Sequence, residues 1–410
     1  MIGNYLKTAL RNILRSKGHS VINVFGLSVA MALCILIFLL VRQELSYDDF
    51  HEKGANVFRV SKTAFMGEYR TIGMTPVPLA PALDDAYAGI VRTVRYANTG
   101  PVLVSSGDVT VRENTVFYAD PGFFEILTFQ PVSGFLKGAL ESRSRVILNE
   151  KIAEKYFGDA DPVGRWLTMD DRKHQVAGVV RVPANTIFQF DFLISMKILE
   201  EAGDSRNQSW AWDVTATFVE LTSPEVAGTL EPQFPDFVEK HFIRFRGTDT
   251  SVMRLQPLTD IYLDSSILFD LFPKSDVVVS YVLGTLGVFL LFIACINFIN
   301  VTLGRSALRG KEVGVRKTLG GSRAQLICQF WGEALLVGVA ALILGLSLAH
   351  LLLPGFNSLF AKDLRIDYFS KTGRRSSRLS VLRVWSSSYP EAIPRSTCPA
   401  STPSPSLRIM

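Results

Sequence analysis

Three long apolar runs decide what this chain can fold into. Residues 21–41, VINVFGLSVAMALCILIFLLV, carry no charged side chain over 21 positions. Residues 277–303 carry none over 27, and residues 326–353 carry one, Glu333. An α-helix rises 1.5 Å per residue, so about 20 apolar residues cross the hydrocarbon of a bilayer. Each run therefore predicts a transmembrane helix. The first follows a cationic start, but it is longer than the apolar core of a signal peptide, and no small-x-small cleavage site precedes the acidic RQELSYDDF. Bulky Leu33 before Cys34 argues against lipid attachment there. The first run reads as an uncleaved anchor.

Orientation follows from the Lys and Arg residues that flank the spans. Residues 1–20 hold Lys7, Arg11, Arg15 and Lys17 and no acid. Residues 304–325 hold Arg305, Arg309, Lys311, Arg316, Lys317 and Arg323 against Glu312 alone. Glu44, Asp48, Asp49 and Glu52 follow the first span. The N-terminus and the 304–325 loop are thus expected in the cytoplasm, with residues 42–276 outside. The net charge of +5 reflects this asymmetry and is not a nucleic-acid footprint.

Residues 4–17, NYLKTALRNILRSK, have helical period and place Lys7, Arg11 and Arg15 beside an apolar arc, with Gly18 as the expected stop. Residues 1–20 therefore predict an amphipathic helix on the inner leaflet. The 235 residues of 42–276 mix strand-like and helical stretches and contain no cysteine. Residues 93–120 break into short β-rich runs, SRVILNEKIAEKYFG turns from strand to helix before Gly158, and HQVAGVVRVP and DVTATFVELT read as strands. EVAGTLEPQFPDFVEKHF reads as a helix interrupted by Pro232 and Pro235. The fold class expected is a membrane protein with α-helical spans and a large α+β extracytoplasmic domain, in one or two lobes, between spans one and two.

Chemistry-bearing motifs are scarce. GRSALRGKE, residues 304–312, places five residues between its glycines and Glu312 after Lys311, so it lacks the spacing and the magnesium-binding hydroxyl of a phosphate loop. His19, His51, His174, His241 and His350 have no metal-ligand spacing. The adjacent pairs Asp48-Asp49, Asp84-Asp85 and Asp170-Asp171 diverge on either kind of element and read as solvated turns. No catalytic, cofactor or metal site is expected. Asn297 and Asn300 share a face of the second span, and Glu333 lies in the third; polar groups in lipid face other helices or transmit motion.

GKEVGVRKTLGGSRAQLICQFWGEALL resembles the cytoplasmic motif of the FtsX-like permease domain of ABC transporters. NYLKTALRNILRSKGHSVINVFGLSVAMALCILIFLLVRQELSYDDFHEKGANVFRV resembles the opening of the same family. MTPVPLAPAL, SRVILNEKIAEKYFGDADPVGRWL and LQPLTDIYLDS resemble its MacB-like periplasmic core domain. These five segments stand in one collinear order over roughly residues 1–370. The resemblance implies a multi-pass protein of the bacterial inner membrane, with four spans where three are visible here. It implies a coupling helix near residues 306–319 that docks on a separate ATPase subunit. There Arg309, Lys311, Arg316 and Lys317 would meet acidic groups, Val313, Val315 and Leu319 would fill a groove beside Glu312, and Gly320 and Gly321 would end the helix. It further implies a homodimer or heterodimer of permeases and a periplasmic adaptor as partners, with no cofactor of the chain's own.

The implied function is the permease subunit of an ABC transporter or mechanotransmission complex, which couples ATP hydrolysis elsewhere to shape change in the external domain. The alternative is a membrane-anchored sensor, but only 22 residues separate the second and third spans, too few for a cytoplasmic signalling module. Residues 354–410 read as an external link followed by a tail. Residues 371–410 hold ten Ser, six Arg and five Pro with no apolar run, where the family places its fourth span. We expect this tail to be non-native, the product of a frameshift or premature end that removes the fourth span; the alternative is a genuine disordered tail. Translation of the other two frames beyond residue 370 should then reveal an apolar run of about 20 residues; its absence from both frames removes the idea.

Overall fold

The computed structural model describes residues 17–65, 68–107, 109–242, 252–308 and 323–366. Residues Met1–Leu364 form one compact unit and Arg365–Met410 a second, of which only residues 365 and 366 are among those described. The architecture has three long apolar helices and a large α+β extracytoplasmic domain between the first and the second, as the sequence implies. The helices are α1 (Lys17–Leu45), α5 (Val277–Leu308) and α6 (Arg323–Phe360). All three are long and apolar enough to span a membrane.

The helix α1 packs against both α5 and α6. It runs antiparallel to α5, with Gly26 facing Asn297 and Ile37 facing Gly287. It runs parallel to α6 along a seam of small residues, Ala341, Gly345 and Ala349, that meets Ser28, Ala32 and Leu36. A Cβ at position 345 would lie 3.0 Å from the Cβ of Met31 and 3.1 Å from the Ser28 carbonyl oxygen. Only glycine lets the two backbones approach this closely, which in lipid supplies the van der Waals contact that holds helices together. Two expectations are corrected here. Gly18 does not stop a helix but lies in the first turn of α1. The segment after residue 353 does not leave the third helix at once, because Pro354 is accommodated inside α6, which continues to Phe360.

Fourteen strands build one sheet in the extracytoplasmic domain. They are β1 (Val57–Phe65), β2 (Tyr69–Ile72), β3 (Thr75–Pro76), β4 (Ile90–Asn98), β5 (Val102–Ser106), β6 (Val109–Glu113) and β7 (Val116–Ala119), then β8 (Gln130–Gly134), β9 (Arg145–Asn149), β10 (Trp166–Met169), β11 (Arg172–Arg181), β12 (Phe192–Ser195), β13 (Asp213–Leu221) and β14 (Met253–Pro257). The order is β14-β1-β13-β4-β7-β12-β9-β11-β10-β5-β6, with β2 on β1, β3 on β13 and β8 on β11. The β7–β12 and β9–β11 pairs are parallel. Asp170 and Asp171 adopt φ of 43° and 66° and form the tight turn between β10 and β11.

Helices α2 (Leu79–Ala86), α3 (Glu150–Phe157) and α4 (Phe234–His241) cover this sheet. Asn149 caps α3 by accepting from the Lys151 N–H. Before α4 the prolines act as the sequence suggests: Val226–Leu230 is helical, Glu231–Gln233 tightens to a 3-10 turn with Pro232, and Pro235 opens α4. Each proline stands at the start of a turn, where no N–H is required.

One core cluster lies under β9–β12 and α3, a second under β1, β13, β14, α2 and α4. A third, aromatic cluster lies on the opposite face of the sheet, since Leu193 and Phe218 alternate with Phe192 and Val219 of the other two: Tyr96, Phe117, Phe123, Phe129, Phe188, Phe190, Phe218 and Phe272. Their rings alternate stacked and edge-on contacts, with Tyr96 to Phe117 at 4.6 Å and Phe123 to Phe188 at 5.4 Å between centroids. The Tyr96 hydroxyl is buried there without a hydrogen-bond partner. An unsatisfied buried donor costs about 1–3 kcal/mol, so Tyr96→Phe should leave stability unchanged or raise it by about 1 kcal/mol. Thermal unfolding followed by near-UV circular dichroism measures this, and a loss of more than about 1 kcal/mol would show that the hydroxyl is bonded.

Candidate functional site

The chain leaves α1 through Glu44 and the segment SYDDFH, residues 46–51, and it returns to α5 through residues 258–276. These two stretches meet the end of α6 at one place. Glu44, in the last turn of α1, holds both carboxylate oxygens 2.9 Å from the Tyr262 hydroxyl, which donates its one proton to them as a shared bond. The Tyr47 and Tyr262 rings stack with centroids 3.4 Å apart and planes 1° from parallel. Lys362, just past α6, donates its Nζ to the Tyr262 hydroxyl at 2.6 Å and pairs with Glu44 at 2.7 Å. Burial, with the Glu44 charge beside it, pushes the Tyr262 hydroxyl well above its ordinary range, so it stays a donor to that carboxylate.

Below this point the exit of α1 is sewn into the domain. The Asp48 N–H donates to the Asn185 carbonyl at 2.9 Å, and the Asn185 side-chain amide donates to the Ser46 carbonyl at 2.7 Å. The Asp48 carboxylate is buried and accepts from the Thr186 hydroxyl, from the Ile187 N–H at 3.1 Å and from His51 Nε2 at 3.2 Å. His51 Nδ1 accepts the Thr128 N–H at 2.9 Å, which places the ring proton on Nε2. Asp48 takes φ of 57°, a left-handed conformation that aspartate tolerates through such local bonding. The reading of Asp48-Asp49 as a solvated turn is thus corrected for Asp48: its charge is stabilised by donors rather than by water.

The return segment is anchored by a second buried charge. Arg59, on β1, donates Nη1 to Asp270 and Nη2 to Gln256, and Lys274 also reaches Asp270 at 3.1 Å. Burial alone pulls the Arg59 guanidinium below its ordinary value, against the opposing pull of Asp270. Gly73 makes room for the pair: a Cβ there would lie 2.8 Å from both Arg59 Nη1 and an Asp270 carboxylate oxygen. The Ser275 N–H closes the segment onto the Tyr262 carbonyl at 2.8 Å, one residue before Asp276 caps α5.

This junction ties α1, the return segment and the end of α6 to one another through direct bonds. Among the described residues, no group of three or more His, Cys, Asp or Glu side chains is placed to hold a metal ion. The coupling residues proposed from the sequence, Arg309, Lys311, Glu312, Val313, Val315, Arg316, Lys317, Leu319, Gly320 and Gly321, lie outside the described residues. Asn297 and Asn300 are exposed on α5, with Asn297 approaching Gly26 of α1, and Glu333 is half-buried on α6. The junction does not include them. Sequence reasoning passed over Glu44, Tyr47, Asp48, His51, Tyr262 and Lys362 as a site. The spacing Asp48-x-x-His51 beside an aromatic residue at a span boundary is the signal that could have found part of it.

Residues 20–236 match the model of the MacB-like periplasmic core domain, and residues 284–372 match that of the FtsX-like permease C-terminal domain. The macrolide export ATP-binding/permease protein MacB of Neisseria meningitidis is 22% identical over 376 residues, covering 88% of this chain and 54% of that protein. The pyoverdine export ATP-binding/permease protein PvdT of Pseudomonas aeruginosa is 24% identical over 295 residues, covering 68% of this chain and 41% of that one. The chain thus spans about half the length of the curated relatives it matches. A crystal structure of a permease-protein domain from Porphyromonas gingivalis is 18% identical with a TM-score of 0.45, covering 55% of this chain and 94% of that domain.

Removal of one partner from a buried ion pair costs about 3–5 kcal/mol, whereas an exposed pair contributes at most about 1. Asp270→Ala should therefore lower the unfolding midpoint of the full chain in detergent far more than Arg181→Ala, which breaks the exposed Arg181–Glu150 pair. Equal midpoints would remove the Arg59–Asp270 pair as an anchor.

Proposed function

The chain belongs to the FtsX-like permeases that carry a MacB-like periplasmic core domain, and we propose that it is the membrane-spanning subunit of an ABC transporter or mechanotransmission complex powered by a separate ATPase. The matched relatives combine ATP-binding and permease functions in their names. Residues 1–410 supply the permease elements and contain no phosphate-binding loop, since GRSALRGKE lacks both its spacing and its hydroxyl. In the proposed assembly a separate ATPase hydrolyses ATP, and the chain converts that partner's motion into a change in the extracytoplasmic domain, for efflux or for handling an envelope substrate.

The observation that carries this reading is the junction. The outer ends of the first and third spans and the root of the second meet at Glu44, Tyr262 and Lys362, and each is bonded directly to the others. With these bonds closed, a displacement of any one span reaches the domain through direct contacts. With the N-terminus in the cytoplasm, residues 306–319 face the ATPase and the junction faces outward. Force then enters at Arg316 and Lys317, travels along α5 and α6, and leaves through Tyr262. A second permease copy and a periplasmic adaptor complete the proposed assembly.

Arg316→Glu with Lys317→Glu should reduce co-purification of a co-expressed ABC ATPase subunit by at least about tenfold, because each reversed charge replaces an attraction with a repulsion. Membrane insertion, read by protease protection of the external domain, should be unchanged. Undiminished capture of the ATPase would remove residues 306–319 as the docking helix.

A further inference from the structure

The third span ends in a turn built to aim one side chain. After Phe360 the backbone reverses at Ala361, whose φ of 50° is left-handed, an uncommon conformation for a residue with a side chain. Asn357, in the last turn of α6, clasps the reversed segment at both ends. Its amide Nδ2 donates to the Leu364 carbonyl at 3.1 Å, and its Oδ1 accepts the Leu364 N–H at 3.1 Å. Its own carbonyl accepts the Lys362 N–H at 3.0 Å. Leu364 is buried, so the segment is pinned beyond Lys362 as well. The position of Lys362 is therefore fixed by the fold and not by the drift of a long side chain.

The ammonium delivered this way touches three elements at once. It bonds Glu44 at the end of α1 and Tyr262 on the return segment, and it lies 5.5 Å from the ring centroid of Tyr47 and 5.1 Å from that of Tyr262. The pair is asymmetric toward water. The Lys362 side chain is 22% exposed and that of Glu44 is 7% exposed. Departure of Lys362 would return its charge to solvent while the Glu44 carboxylate kept the shared hydrogen bond from the Tyr262 hydroxyl. One partner can leave without stranding the other, which distinguishes this contact from the Arg59–Asp270 pair, where both side chains are buried.

We propose that Lys362 is a releasable latch between the third span and the rest of the junction, with Asn357 as its positioning residue. Closed, as here, the latch moves α6 together with α1 and the return segment. Open, it lets α6 shift alone while Glu44 and Tyr262 hold the domain on α1. This inference rests on the junction being the coupling element, but its test requires no ATPase, so its failure leaves the docking proposal standing.

The test is hydrogen–deuterium exchange on the full chain in lipid nanodiscs, following peptides from residues 258–276 and 355–366. Loss of a charged hydrogen bond should accelerate local opening by about tenfold. Lys362→Met and Asn357→Ala should both speed exchange in these two regions and leave β9 and β11 unchanged. Asn357→Ala retains every charge, so it separates positioning from charge and stands in if Lys362→Met fails to fold. The exchanged pair Glu44→Lys with Lys362→Glu should return exchange toward the wild-type rate. Wild-type exchange in Asn357→Ala, or no recovery in the exchanged pair, overturns the latch.

Discussion

Inside a bilayer the backbone finds no water, so each N–H and C=O must be satisfied within its own segment. This constraint shapes everything else in the molecule. It makes the three spans helices, and helices that differ little along their length have few ways to pass on movement except through their ends. Where the chain passes between spans and domain, the described residues place three charged contacts: Glu44 with Lys362, Asp48 with its donors, and Arg59 of β1 with Asp270 of the return segment. Burying a charge is costly unless it is bonded, and each of these is held by residues distant in sequence. The Asp48 and Arg59 contacts are thus specific, because a shift in register would leave buried charges unbonded, whereas Lys362, more open to water, can part from Glu44 alone.

Between the spans themselves the forces differ. The seam of Ala341, Gly345 and Ala349 against Ser28 and Ala32 has no charge and no apolar driving force beyond close contact. Such a seam tolerates sliding better than the junction does. The contacts between the spans are thus apolar and close, whereas those where the spans meet the domain are charged and hydrogen-bonded.

Much of this was legible in the sequence, and the reasons are physical. The spans declare themselves because lipid demands an unbroken apolar run, as in residues 21–41 and 277–303. The strands β9 and β11 and the helix α3 follow from the residue pattern of SRVILNEKIAEKYFG and HQVAGVVRVP and from the stop at Gly158. The Asp170-Asp171 turn was legible because its bonding is local. Asp48 was not, because its partners Thr186 and Ile187 lie 138 and 139 positions away, and nothing in YDDFH separates a buried acid from a solvated one. Glu44 read as a topology signal and Lys362 as part of a link, since a residue's neighbours in sequence do not reveal a partner 218 or 100 positions off. Gly18 was misread because a glycine near a cationic flank resembles a helix stop, while the apolar run that follows carries the helix through it.

The stacked rings of Tyr47 and Tyr262 have a consequence for how such a chain can change over generations. The extracytoplasmic domain leaves and rejoins the membrane helices at two tyrosines whose ring centroids are 3.4 Å apart. In topological terms the domain is an insertion in the turn of a helical hairpin formed by α1 and α5. Insertions succeed where the two ends of the inserted unit lie close together, because the host need not deform to receive them. The hairpin and the domain are therefore separable inheritances. A lineage could exchange the outer module for another with neighbouring termini and keep the same membrane engine beneath it.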